Sequence, residues 1–322
     1  MKKYLKEFLL TLIIVTMSYL SYSQDFQFSQ FYAAPLYLNP AFAGTDSSAR
    51  FGFNYRDQWP SMPGTYIDYN LAYDQYVNAL HGGFGVSVWK EDEGSGTYKT
   101  TNISGGYSCQ INVTNDFTIN AGIQGSYMQN SIDYSKITYG DMINNYGLVF
   151  TQNLQLQYKS SINYLDLSAG VLGYTNEFYG GVTLSHLNQP DISYTDVKFP
   201  MPMKITADLG AMIPIDNSKK TLLSPNVICI LQQSFQQYNL GLDMQHGLFT
   251  GGLWYRFSPT NGDAMVGMLG IKYKRLKVAY SYDITISGLA NYSGGAHEIS
   301  LGFLFNSKKN NTTSRRINCP AF

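Results

Sequence analysis

Charge is scarce in this chain. Only 14% of its 322 residues are Asp, Glu, Lys or Arg, against about 25% in ordinary soluble domains. The 22 basic and 22 acidic residues cancel, so the basic footprint of a nucleic-acid-binding protein is missing and no nucleic-acid partner is expected. Cysteine is rare too: Cys109, Cys229 and Cys319 have no paired spacing, which excludes a disulfide framework and a cysteine zinc site. The four histidines, His81, His186, His246 and His297, are scattered without a metal-binding spacing and read as structural or interfacial. Beyond residue 23 no apolar run reaches 18 residues, which excludes membrane-spanning helices. Helical periodicity is missing as well.

Tyr (27), Phe (18) and Gly (30) are over-used instead, and so many aromatics exclude a disordered chain. At the amino terminus, Lys2, Lys3 and Lys6 precede an apolar stretch from Phe8 to Leu20. Those 13 residues would rise only ~20 Å as a helix, short of a roughly 30 Å hydrocarbon layer. Ser21 and Ser23 flank Tyr22 as small residues flank a signal-peptidase site, so cleavage is expected between Ser23 and Gln24.

The rest of the chain alternates with a period of two, the spacing at which strand side chains switch face. Between residues 116 and 128, Phe117, Ile119, Ala121, Ile123 and Tyr127 alternate with Thr118, Asn120, Gly122, Gln124 and Ser126. Such blocks predict fourteen strands: 49–57, 64–74, 83–91, 97–110, 116–129, 161–172, 176–186, 203–213, 226–234, 237–245, 248–257, 263–274, 276–286 and 296–306. The block at 226–234 is the most irregular, because Ile228 and Ile230 fall on its polar face and Pro225 bars an earlier start.

Alternating strands suit either a soluble sandwich or a membrane barrel. Blocks of this length fit the roughly 9–11 residues that cross a bilayer obliquely, whereas sandwich strands cluster near 5 or 6. Abundant aromatics suit the girdles of a barrel at the membrane interfaces. The three longest connections, 130–160, 187–202 and 287–295, all follow odd-numbered strands and so fall on one side, as the long outer loops of such barrels do. The expectation is an all-β, antiparallel outer-membrane barrel in contact with lipid in a Gram-negative outer membrane. Residues 1–23 would be the signal peptide, 24–48 a periplasmic or plug segment, 49–306 the barrel and 307–322 a polar tail.

On this reading Asp68, Asp166, Lys204, Asp208, Asp243, Arg256, Lys272, Lys277 and Asp283 point into the lumen. Their mixed signs suit a salt-bridged, filled interior better than an ion-selective pore. No catalytic residue, metal or cofactor is expected: in the trio His297, Glu298 and Ser300, alternation turns His297 away from the other two. The acidic run Glu91–Asp92–Glu93, before Gly94-Ser95-Gly96, reads as a solvated hairpin tip and less well as a calcium loop.

Two segments carry more than composition. Residues 24–44 read QDFQFSQFYAAPLYLNPAFAG, and residues 281–305 read SYDITISGLANYSGGAHEISLGFLF. Both resemble signatures of the PorP/SprF family, outer-membrane proteins of the type IX secretion and gliding-motility apparatus of Bacteroidetes. Gln27, Phe28, Ser29, Gln30, Asn39, Pro40, Ala41, Phe42, Ala43 and Gly44 match its amino-terminal pattern, Q-F-S-Q followed by N-P-A-[YF]-A-G. The final strand, with Ile299, Leu301, Phe303 and Phe305 on one face, resembles a barrel-assembly signal. The resemblance implies a non-enzymatic partner for a secreted cell-surface protein, such as a gliding adhesin, and for other type IX secretion components. The 130–160 loop, with Tyr134, Tyr139, Tyr146, Phe150 and Tyr158, is the candidate contact surface, because aromatics give contact area at low entropic cost; the equal alternative is that it folds inward as a plug. The alternative is an outer-membrane channel or carrier for small or apolar solutes.

Overall fold

The computed structural model describes residues 25–46, 48–138, 159–218, 220–259 and 261–305. Its strands are β1 (Arg50–Gln58), β2 (Tyr66–Val77), β3 (Gly82–Glu93), β4 (Tyr98–Asn112), β5 (Thr118–Ile132), β6 (Ser161–Tyr174), β7 (Phe178–Ser185), β8 (Lys204–Ala211), β9 (Ile213–Pro214), β10 (Thr221–Gln232), β11 (Phe235–His246), β12 (Phe249–Ser258), β13 (Asn261–Tyr273), β14 (Leu276–Thr285) and β15 (Ala296–Leu304). Apart from β8 and β9, which do not pair with each other, each pairs antiparallel with its chain neighbours, and β15 returns to β1, from Arg50 opposite Leu304 to Gln58 opposite Ala296. The sheet is therefore a closed barrel with no free edge, the form in which strands can satisfy their backbone groups in lipid.

β8 and β9 are one strand interrupted at Met212. Both pair with β10, and the register resumes without a slip: Asn226 faces Gly210, then Leu223 faces Ile213. Counted so, the barrel has fourteen strands. The expected ninth strand, 226–234, is corrected at its start: β10 begins at Thr221 and carries Pro225 inside it, opposite Leu242 of β11. A proline has no N–H to donate, and the ladder to β8 lapses where Pro225 stands.

Alternation sorts the two faces as lipid and lumen require. Leu165, Leu253 and Leu269 are 66%, 69% and 73% exposed on the outside. Aromatic pairs lie outward near both strand ends, Tyr238–Phe257 and Trp59–Tyr66 toward one rim and Tyr73–Phe305 toward the other. Ile228 and Ile230 turn inward, as alternation requires, but stay buried in an apolar cluster with Phe31, Leu38 and Trp254. The lumen is not polar throughout.

The connections after β1, β3, β5, β7 and β14 meet at one rim. Trp59 N–H donates to Gly295 O, Asp133 N–H to Thr97 O and Lys159 N–H to Tyr194 O. Residues 139–158, with Tyr139, Tyr146, Phe150 and Tyr158, lie outside the described residues, as do Ser23, Gln24 and residues 306–322. The opposite rim has the short turns, and there Phe305 N–H bonds Ala49 O beside the start of β1.

Candidate functional site

Residues 25–45 fill the lumen. Pro35 and Pro40 each open a short helical turn, Pro35–Leu38 and Pro40–Phe42, because proline's fixed φ suits a first helical position. Neither turn is long enough to stand alone; barrel side chains hold both.

Each end of the family-like motif has its own set of partners. Gln27 and Gln237 exchange side-chain hydrogen bonds of 2.8 and 2.7 Å. Phe28 is buried, its ring edge-on to Phe26 and Tyr37. Ser29 N–H donates to Glu298 at 2.6 Å and Gln30 N–H to the same carboxylate at 3.1 Å. Arg56 reaches Asp283 at 2.9 Å and Glu298 at 3.3 Å, and Arg256 reaches Asp283 at 3.0 Å. Two guanidiniums and two carboxylates thus close around Ser29 with their charges balanced, the condition under which charge can be buried.

At the other end Asn39 accepts from Ala41 N–H at 2.8 Å and donates to Val171 O at 3.3 Å. Ala41 O accepts from Asn120, Ala43 O from Ser108, and Gly44 N–H donates to Asp74, which pairs with Arg50 at 2.8 Å. Phe42, 1% exposed, joins the apolar cluster. The segment runs against bare backbone here: a Cβ on Gly83 would stand 2.1 Å from Ala43 O, and one on Gly122 2.5 Å from Ala41 N. Only glycine admits such an approach.

The charges expected in the lumen are there. Asp68, Asp166, Asp208, Asp243, Arg256, Lys277 and Asp283 are buried, and Lys204 and Lys272 half-buried. Sequence reasoning passed over Arg56 and Glu298 as a pair, since nothing in the sequence sets residues 242 apart side by side. Glu298 and Ser300 face inward and His297 outward, where Tyr280 meets it at 2.8 Å. Ile299, Leu301, Phe303 and Phe305 form the outward face at the closing seam.

Toward the long-loop rim the filled lumen opens into a vestibule lined by Trp89, Glu91, Glu93, Tyr98 and Asn102. Phe26, Tyr37 and Trp89 pack ring against ring at its floor. Asp25 closes the top of the plug: His186 Nε2 lies 2.9 Å from its carboxylate, Lys204 Nζ also bonds it, and His186 Nδ1 is 3.0 Å from Asp166. Burial by itself would raise the Asp25 carboxyl, but Lys204 and His186 outweigh it and hold it well below the usual range. Burial likewise opposes the His186 imidazolium, yet the Asp25 carboxylate and its hydrogen bond, with Asp166 beside Nδ1, push it up to about 9. His186 is therefore charged at neutral pH. The acidic run expected at a hairpin tip instead belongs to β3: Glu91 and Glu93 line the vestibule and Asp92 pairs outside with Lys90. The tip itself is the turn that begins at Gly94.

An apolar belt outside, a closed ladder and a lumen stoppered by the chain's own amino-terminal segment define a plugged outer-membrane β-barrel. The family described as type IX secretion system membrane protein PorP/SprF matches residues 20–303, and the chain belongs to it. Among curated proteins none matches. Solved structures similar in fold include a Pseudomonas aeruginosa FadL homologue (12% identity, 84% of this chain and 93% of that one, TM-score 0.48). The P. putida toluene transporter TodX is also similar (8%, 83% and 93%, 0.47), as is Omp33 of Acinetobacter baumannii (10%, 81% and 100%, 0.46). This likeness is one of barrel shape and carries nothing about function.

Proposed function

We propose that this barrel is a non-enzymatic docking and anchoring platform for an exported surface protein, engaged from outside through the long-loop rim. The observation that supports it most is the asymmetry of the lumen. The short-turn end is filled by residues 39–44 of the plug, seated on bare backbone and on the Arg50–Asp74 ion pair, whereas the vestibule and the long connections share the other end. A platform needs a rigid base and an accessible outer face; an open conduit needs neither plug nor lock.

Tyr134, Tyr139, Tyr146, Phe150 and Tyr158 are the proposed contact residues of the 130–160 loop. Tyr134 stands at the loop's root, its hydroxyl donating to Lys159 O at 3.1 Å. The test is a pull-down of the tagged protein from native outer membranes, with the captured proteins identified by mass spectrometry. An exported surface protein that co-purifies with the wild type, and is lost when residues 138–158 are replaced by a short Gly/Ser linker without loss of the folded barrel, supports docking. Capture that survives the replacement removes the loop from the account. Steady conductance or solute flux through wild-type protein in a planar bilayer would favour the channel or carrier instead.

A further inference from the structure

Glu91 and Glu93 alternate inward at the outer end of β3 and line the vestibule. Glu91 is 8% exposed, and neither carboxyl makes an ion pair among the described residues. The register sets Glu91 opposite Asp68 of β2, itself 1% exposed, and Asp68 Oδ1 has no hydrogen-bond partner among the described residues. Like charges directly opposite repel. The nearby positive groups are engaged elsewhere: Arg56 with Asp283 and Glu298, and Lys204 and His186 with Asp25.

A second feature points the same way. Asn102 of β4, 3% exposed, lines the same cavity with its Oδ1 unpartnered among the described residues. The vestibule thus offers acceptors in surplus. Trp89 stands two residues before Glu91 on the same face of β3 and, with Tyr37, lines the same cavity. Carboxylates beside aromatic rings are the chemistry that holds an ammonium or guanidinium, by charge-assisted hydrogen bonds and by cation–π attraction. Lys204 Nζ already lies 5.5 Å from the centre of the Tyr37 ring.

We propose that the vestibule receives a Lys- or Arg-bearing extended segment of the exported protein. Glu91 and Glu93 take its positive charge, Asn102 accepts its N–H groups and Trp89 covers a face of the cation. This rests on the docking reading and supplies the chemical character of the segment that enters. A proton shared by Asp68 and Glu91 would quiet their repulsion, but it would leave Glu93 and Asn102 unmatched; a polypeptide cation meets all of them.

The test uses the purified full chain in lipid nanodiscs and a fluorescent, end-blocked Gly-Arg-Gly-Lys-Gly peptide. Its control carries citrulline and norleucine in place of the two charged residues. The expected result is saturable binding of the cationic peptide. It weakens at least tenfold for the neutral control, and at least tenfold for Glu91→Gln and Glu93→Gln proteins whose barrels keep their heat-modifiable gel mobility. Equal binding of both peptides, unchanged binding by both variants, or no binding to the wild type overturns the proposal. Calcium ions that bind in the vestibule and exclude the peptide would replace the polypeptide by a metal and overturn it too. In the native-membrane pull-down, the exported protein should be captured by the wild type and lost from the Glu91→Gln/Glu93→Gln double variant. Capture by both sinks this inference and leaves docking standing; capture by neither sinks docking itself.

Discussion

Ser29 Oγ donates a hydrogen bond of 2.6 Å to Asp283, a residue 254 positions further along the chain. The same oxygen accepts from Arg56 at 2.7 Å and from Arg256 at 2.6 Å. A hydroxyl has one proton and two lone pairs, and here all three are used. The plug is thereby wired to β1, β12 and β14 at a single atom.

Removing that atom should loosen the wiring. Ser29→Ala leaves buried charged groups short of a partner, at a cost of about 1–3 kcal/mol. Arg56→Ala strands Glu298 and part of Asp283 and should cost more, about 3–5 kcal/mol. Urea or heat unfolding of the barrel in detergent measures both; equal and negligible losses would show that the cluster does not hold the plug.

The Asp25 latch should depend on pH in a defined window. His186 titrates at about 9 in the folded protein, against an ordinary 6.5. Its contribution is therefore complete below about 6.5 and disappears as pH rises through about 9. Asp25 is held below its ordinary 3.8, so its contribution is complete above that value and fades as pH falls below it. Amide hydrogen exchange of residues 25–30, corrected for intrinsic rates, should show strongest protection between these limits. His186→Gln should flatten the alkaline limb; an unchanged limb would assign it to another group.

Close backbone contact at Gly83 predicts intolerance to any side chain. Gly83→Val should expel the stretch around Ala43 from its seat, costing about 1–3 kcal/mol as overpacking does, while the ladders of β3 survive. Conductance in planar bilayers reports the result: none for wild type, and bursts of current for Gly83→Val and for a chain lacking residues 25–45. A silent barrel after that deletion would mean that the lumen is closed by something besides the plug.

Outside, Leu253 lies mid-strand in β12 and 69% exposed. Leu253→Arg should destabilise the barrel in lipid by about 2–4 kcal/mol, the cost of an arginine at the bilayer midplane. The same change should be nearly neutral if that face met water. Unfolding in liposomes at graded urea separates the two.

The strand positions were legible because period-two alternation is local: each residue's face follows from its neighbour's. Pro225 misled because its missing N–H argues against a strand, whereas in the barrel the adjoining ladder skips the same place. Glu91 misled for a related reason, since an acidic run beside glycines resembles a solvent-exposed turn until the length of β3 carries it below the rim. Ile228 and Ile230 looked misplaced on a polar face until Phe31 and Leu38 arrived from the plug to cover them.

Read alone, the amino-acid order determined the barrel, its strand number and its family, because alternation and short motifs are written in adjacent residues. It did not determine what fills the lumen. Ser29 meets Asp283, Asn39 meets Val171 and Asp25 meets His186 only after the ring has closed, and ring closure is a property of all fourteen strands together. Pairings over such separations leave no local pattern to read, so the plug's lock and the surplus of acceptors above it belong to the tertiary structure.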